Sequence, residues 1–302
     1  MEVISVVPRG YCQGVVRAIK IARRTTELYP DQKIYMLGMI VHNHFVVEEC
    51  RRRGIICLEN KKLSRLELLD EIDEGVVIFT AHGVSDSVVE KAKAKGLIIV
   101  DATCPDVMKT HEIVRRHINH NGEVIYIGKR NHPEAEGVCS LSEHVHLVSG
   151  LSDIEQLGPM NNILITNQTT LSLLDTEALV KECCRKYPDA QVMPEICNAT
   201  TVRQKAVMNL RDVDTLIVVG DPHSNNSNQL LEIGLRSGIR SAYLVESPQD
   251  LREYMIKGAD RLAVTSGSST PNSLTSEVIR MIRHYADTGV LPPVTVTDYP
   301  VL

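Results

Sequence analysis

One arrangement of strand-end loops occurs three times along this chain in the same order, and that recurrence limits the fold more than any other feature. Short runs of β-branched and other apolar residues alternate with amphipathic stretches, the pattern of βαβ units and a parallel sheet. Three runs lead into a cysteine and then a helix: VISVVPRGYC at Cys12, LIIVDATC at Cys104 and QVMPEIC at Cys197, spaced 92 and 93 residues apart. Three others end in glycine and a polar cluster: YMLGMIVHNH at Gly38, VIYIGKRNHPE at Gly128 and LIVVGDPHSNNS at Gly220, with spacings of 90 and 92. A third set ends in threonine and small polar residues: VIFTAHGVS at Thr80, ILITNQTTLS at Thr166 and LAVTSGSSTPN at Thr265, with spacings of 86 and 99. The period drifts while the order does not.

These loops predict an α/β protein of three pseudo-threefold-related units, with boundaries at 13-103, 104-196 and 197-302 plus 1-12. Ligands of open parallel sheets bind outside the carboxyl ends of the strands. Three units facing one another would bring all the loops to a single central cavity.

Composition narrows the function. The 302 residues carry 33 Lys and Arg against 38 Asp and Glu, a net charge of −5, and 43% are hydrophobic. That apolar fraction excludes disorder, and a mildly acidic balance leaves no footprint for nucleic acid. No more than four apolar residues run consecutively, so no segment is expected to span a membrane. The start, MEVISVVPRGYC, lacks the basic and apolar regions of a secretory signal. Eight cysteines then imply free thiols or metal ligands in a reducing compartment, and a cytoplasmic enzyme is expected.

Cys12, Cys104 and Cys197 each follow a strand and open a helix. The helix dipole and free N–H groups there stabilise a thiolate. One such cysteine is ordinarily a small buried hydrophobe; three at one equivalent position point to a metal. Three thiolates can hold a [4Fe–4S] cluster by three irons and leave the fourth open. Zinc is the competing metal, although the close cysteine pairs usual in structural zinc sites are absent. Cys50, Cys57, Cys139, Cys183 and Cys184 lack this placement and read as ordinary thiols.

The remaining loops offer His42, Asn43 and His44; His82, Gly83 and Ser85; His132 and Glu134; Thr169, Thr170 and Ser172; Ser224, Asn225, Asn226 and Ser227; and Ser268, Ser269 and Thr270. Neutral donors and imidazoles with little fixed positive charge suit a diphosphate held by many hydrogen bonds and by helix N-termini. Helix capping is the plain alternative for each loop alone. Glycine-rich nucleotide motifs are missing, which argues against directly bound NAD(P) or ATP. Glu134, beside His132, is the expected proton donor, while Glu136 is expected to point elsewhere.

With these motifs in order (GYCQGVVRAI, VHNHFVV, FTAHGVS, DATCPDVMKTH, HPEAEG, QTTLS, ICNATTVRQ, SNNSN and SGSSTP), the chain resembles the 4-hydroxy-3-methylbut-2-enyl diphosphate reductase family, from residue 2 to about 282. The resemblance implies a three-lobed α/β trefoil around an iron–sulfur cluster held by Cys12, Cys104 and Cys197. It implies diphosphate contacts from His42, His82, His132, Ser224, Asn226 and Ser269, with Asn225 in the same loop. Glu134 and Thr169 fall where the family protonates and orients the substrate hydroxyl. The implied reaction is a two-electron reductive dehydroxylation giving isopentenyl and dimethylallyl diphosphates, with ferredoxin or flavodoxin as electron donor. Five positions depart from the family pattern: Tyr11 for Phe, Asn225 for Ser, Asn167 for Thr or Ala, and Ser266 and Ser268 for Ala. Two other readings are a related iron–sulfur reductase or hydratase acting on a different phosphorylated allylic substrate, and a non-enzymatic iron–sulfur sensor. The end of the chain, TGVLPPVTVTDYPVL, matches no motif.

Overall fold

The computed structural model describes residues 1–60, 62–294 and 301; residue 61 and, in the tail that matches no motif, residues 295–300 and 302 lie outside the described residues. Twelve strands occur among the described residues: β1 (Glu2–Ser5), β2 (Ile34–Leu37), β3 (Ile55–Leu58), β4 (Val76–Phe79), β5 (Ile98–Asp101), β6 (Glu123–Ile127), β7 (Val145–Val148), β8 (Ile163–Asn167), β9 (Gln191–Val192), β10 (Thr215–Val219), β11 (Ser241–Val245) and β12 (Arg261–Ser266). They form three parallel four-stranded sheets, ordered β3-β2-β4-β5, β7-β6-β8-β9 and β11-β10-β12-β1.

The three orders are the same topology. In each sheet the strand leading to glycine and the strand carrying threonine lie side by side at the centre, and the strand leading to cysteine forms one edge. The repeat extends to single hydrogen bonds. Each loop glycine donates its N–H to the end of the neighbouring strand: Gly38 to the Leu58 carbonyl at 2.8 Å, Gly128 to Val148 at 2.9 Å and Gly220 to Val245 at 2.9 Å. The α/β class and the three similar units expected from the loops are therefore present.

Central strands are buried along their whole length. VVIF of β4, ILITN of β8 and TLIVV of β10 have no exposed residue, as befits parallel strands covered on both faces. Around the sheet β7-β6-β8-β9 the two covers are visible in the core. Ile125, Ile127 and Ile165 pack with Cys183 and Tyr187 on one face, and Val124, Tyr126 and Leu164 pack with Val114, Ala135 and Val138 on the other. Each such Val, Ile or Leu contributes about 1.5–3 kcal/mol of burial.

The chain divides into two compact units. Met1–Val16, His42–Glu49 and Asn198–Leu302 make the first; Arg17–Val41 and Cys50–Cys197 make the second. The first holds the sheet β11-β10-β12-β1, completed by the N-terminal strand. The second holds the other two sheets. No helix among the described residues is long and apolar enough to cross a membrane.

Candidate active site

Each of the three cysteines is held by the same local device. In all three the backbone N–H donates at 3.0 Å to a carbonyl in the threonine-set loop of its own sheet: Cys12 to Ser268, Cys104 to Ala81 and Cys197 to Thr169. Each then starts a helix, Gln13–Leu28, Pro105–Ile118 and Asn198–Met208 respectively. The Cys12 sulfur accepts the Val15 N–H at 3.5 Å, so its sulfur already takes a bond from the helix start. Pro105 occupies the first helical position after Cys104, where its missing N–H costs nothing. None of the eight cysteines is in a disulfide, and these three are neither fully buried nor exposed. Cys183, by contrast, is a core residue with no exposed surface, and Cys50 is buried.

In the first unit, the loops after β1, β10 and β12 meet residue 42. Ser269 Oγ donates to the His42 carbonyl at 2.9 Å, and Asn226 Nδ2 donates to Ser268 Oγ at 2.7 Å. Cys12, His42, Asn226 and Ser269 are thus joined through residues 268 and 269. Ser224 is the N-cap of the helix Asn225–Arg236, its hydroxyl accepting the Ser227 N–H at 3.3 Å. The capping alternative holds for that hydroxyl and also for Ser85 and Ser172. Asn225 and Asn226 are buried in the first turn of the same helix. Gly220 and Gly267 both press on Ser227: a Cβ at either would stand 2.2 Å from its Oγ, so the two glycines keep the loop closed.

His44 takes a different role. Its Nδ1 lies 2.5 Å from Glu246 Oε1, and Asp221 completes a group whose ligand atoms lie within 4.8 Å of one another. Asp221 also accepts the His223 N–H at 2.7 Å. The pair and the turn account for all three residues without an ion.

In the second unit a continuous chain of contacts links the other predicted residues. His82 follows Ala81, the acceptor for Cys104. Its ring meets that of His132 edge-on, with centroids 5.7 Å apart. His132 is the N-cap of the helix Pro133–Cys139, its Nδ1 accepting the Glu134 N–H at 3.2 Å, with Pro133 again at the first helical position. Histidine, proline and acid in sequence are therefore cap, helix start and first-turn carboxyl. Glu134 is 1% exposed, and both its oxygens face Thr169: the backbone N–H donates to Oε1 at 2.7 Å and the hydroxyl to Oε2 at 3.0 Å. The Thr169 carbonyl receives Cys197. Glu136, two residues on, is exposed, as expected.

Burial pushes the Glu134 carboxyl up to about 7, against the two bonds from Thr169 that hold it down. It is protonated in an appreciable fraction of molecules at neutral pH, which is what a proton donor requires.

Four residues to which the sequence reading gave no structural role shape this region. Asn167, one of the departures from the family pattern, is buried; its Oδ1 accepts the Glu195 N–H at 3.1 Å and its Nδ2 donates to the Gln168 carbonyl at 2.9 Å. It fastens the segment two residues before Cys197 to the end of β8. His111, in DATCPDVMKTH, lies under the segments that carry His82 and Glu134, near enough that a Cβ at Gly83 or Gly137 would touch its ring at 3.5 and 3.3 Å. Burial, with Arg115 beside it, lowers His111 to about 4, so it is a neutral packing element. Burial and the neighbouring Glu134 keep the Tyr126 phenol neutral. Arg65 is the fourth.

A family model described as "LytB protein" matches residues 3–283. The chain belongs to the LytB family. A protein of Symbiobacterium thermophilum named 4-hydroxy-3-methylbut-2-enyl diphosphate reductase is 47% identical over 94% of this chain and 98% of its own length. One of Anoxybacillus flavithermus with the same name is 47% identical over 94% of this chain and 91% of its own. Among solved structures, the E-1-hydroxy-2-methyl-but-2-enyl-4-diphosphate reductase of Plasmodium falciparum superposes with a TM-score of 0.86, at 33% identity, over 92% of this chain and 87% of that one. A structure of (E)-4-hydroxy-3-methyl-but-2-enyl diphosphate reductase gives a TM-score of 0.66 at 30% identity, covering 94% of this chain and all of that one. The match confirms the family resemblance and includes every motif that carried it. It leaves the departures at Asn167 and Asn225 as features of this LytB chain, the first with a structural role in place.

Proposed function

We propose that this chain catalyses the reductive dehydroxylation of (E)-4-hydroxy-3-methylbut-2-enyl diphosphate to isopentenyl and dimethylallyl diphosphates in isoprenoid biosynthesis. The observation that carries the chemistry is Glu134: buried, doubly hydrogen-bonded to Thr169, raised to about 7, and two residues after His132, which caps its helix.

Three thiols outside any disulfide, each fixed by a 3.0 Å backbone bond at a helix start, are a soft donor set that fits an iron–sulfur group. In our reading Cys12, Cys104 and Cys197 hold one [4Fe–4S] cluster by three of its irons. When bound, that cluster supplies electrons and one Lewis-acidic iron without a thiolate. The balance of the reaction is two electrons and two protons in, one C–O bond broken, one C–H bond formed and water released.

The chain's own residues manage binding and protons. His42, His82, His132, Ser224, Asn225, Asn226 and Ser269 hydrogen-bond the diphosphate, and the first turn of the helix Asn225–Arg236 offers its N–H groups to the anion. Thr169 orients the substrate hydroxyl through Oγ1 and holds Glu134 ready. Glu134 delivers the proton that lets water leave, and burial around it keeps bulk water from competing. A ferredoxin or flavodoxin supplies the electrons. Eight cysteines outside any disulfide suit the reducing cytoplasm.

An anaerobic assay of iron-loaded protein with a chemical reductant tests the substrate. We expect both five-carbon diphosphates from the hydroxylated allylic diphosphate and little turnover of other phosphorylated allylic alcohols. Faster turnover of one of those would move the assignment to a related reductase.

A further inference from the structure

The polar loops carry little positive charge of their own, yet one cation reaches them from behind. Arg65 is the first residue of the short helix Arg65–Leu68. A capping box fixes that start: Ser64 Oγ accepts the Glu67 N–H at 3.2 Å, and Glu67 takes the Ser64 N–H at 2.7 Å. From there the guanidinium donates to the Gly83 carbonyl and, at 2.9 Å, to Thr80 Oγ1. It also lies flat against Gly38, where a Cβ would stand 3.3 Å from Nη2. Gly38 has φ +92°, so its lack of a side chain serves both the turn and the arginine.

Thr80 carries the contact onward. It is fully buried, and its Oγ1 lies 3.4 Å from His82 Nδ1. The donor inventory fixes the first of these two bonds. Arginine only donates, so Thr80 Oγ1 accepts from it. The threonine hydroxyl then has its own proton to give, and His82 Nδ1 is the ring nitrogen within reach. A neutral imidazole whose Nδ1 accepts must carry its proton on Nε2. Arg65 remains a cation at neutral pH, since burial brings it down only to about 10.

We propose that Arg65 is a positioning residue that acts through Thr80 to hold His82 as its Nε2–H tautomer, presenting a donor rather than a lone pair to an anionic oxygen. The functional side of this rests on the assignment of His82 to the diphosphate. Lysine could not replace Arg65, because a point donor cannot span Gly83 and Thr80 together.

The test is histidine-selective nitrogen-15 NMR of the oxidised, cluster-bearing protein, with the His82 signals assigned by their loss in His82→Gln. The two ring nitrogens report the tautomer directly. In the unmodified chain, Nδ1 of His82 should give the unprotonated-type signal and Nε2 the protonated type. Thr80→Val should lower the ratio of Nε2–H to Nδ1–H about five- to tenfold, the loss of one ordinary hydrogen bond. Thr80→Ser, which keeps the hydroxyl, should restore it. Arg65→Met is the second probe and should shift the ratio in the same direction as Thr80→Val. A protonated Nδ1 in the unmodified chain, or a ratio indifferent to Thr80→Val, overturns the proposal. KM for the allylic diphosphate separates the two levels. A moved tautomer with a raised KM supports both, whereas a moved tautomer with KM unchanged keeps the positioning role and overturns the diphosphate role of His82.

Discussion

Removing the Thr169 hydroxyl should move the pH dependence of the reaction, because that hydroxyl, with the Thr169 N–H and the Tyr126 phenol, opposes the effect of burial on Glu134. Thr169→Val keeps the shape of the side chain and the backbone N–H that donates to Oε1 at 2.7 Å, and deletes the 3.0 Å bond to Oε2. A hydrogen bond to a charged group contributes about 1.5–3 kcal/mol. One pKa unit corresponds to about 1.4 kcal/mol, so the carboxyl should rise by about one to two units above its starting value. The active form is the protonated acid. The profile of kcat/KM against pH should therefore fall on its alkaline side near the Glu134 value of about 7 in the unmodified chain. In Thr169→Val that descending limb should lie about one to two units higher. The plateau should also drop, since Thr169 orients the substrate hydroxyl, but the position of the limb is independent of the plateau. Thr169→Ser, keeping a hydroxyl, should leave the limb in place. A limb that stays put in Thr169→Val, or moves to lower pH, refutes the reasoning about Glu134.

Three further outcomes are expected. Glu134→Gln should keep the cluster spectrum and bind substrate while losing about 10²–10⁴ in kcat, whereas the exposed Glu136→Gln should stay within about twofold of the unmodified chain by steady-state kinetics. Cys12→Ser, Cys104→Ser and Cys197→Ser should each strip iron and sulfide, measured by elemental analysis, and the partly exposed Cys184→Ser should not; stoichiometric zinc in the unmodified protein would contradict the cluster. For stability, Glu134 is raised from 4.5 to about 7 in the fold, so it favours the folded state most fully at pH below its unfolded value and less as pH rises through 7. Urea unfolding of the metal-free chain should lose about 3 kcal/mol between those limits, and Glu134→Gln should flatten that slope.

The repeat was legible because its carriers are punctuation residues. Glycine at 38, 128 and 220 and cysteine at 12, 104 and 197 stand at strand ends whatever the helices between them look like, and strand burial is written in runs such as VVIF and LIVV. Glu134 was legible for a similar reason, since a histidine cap and a proline at the helix start are local signals that aim the next residue. Arg65 was not. RLEL carries no motif, and the groups Arg65 serves lie 15 and 18 residues further along, beyond any local pattern. Asn167 looked like a departure from a family motif. Its partner, Glu195, is 28 residues away, and only the pairing of β8 with the segment before Cys197 brings them together. His44 belonged by sequence to the polar loop after residue 41, but its ring is taken by Glu246, across 202 residues of chain. Long-range partners of single polar side chains leave no periodic trace.

The central claim is that three cysteines at one place in a threefold repeat hold a cluster with an iron left for the substrate. Iron-57 Mössbauer spectroscopy of anaerobically prepared protein, with and without the allylic diphosphate, measures it directly. The account predicts four irons of which one is distinct, and a change confined to that one when the diphosphate is added. Four equivalent thiolate-bound irons, or a spectrum that ignores the diphosphate, would contradict it.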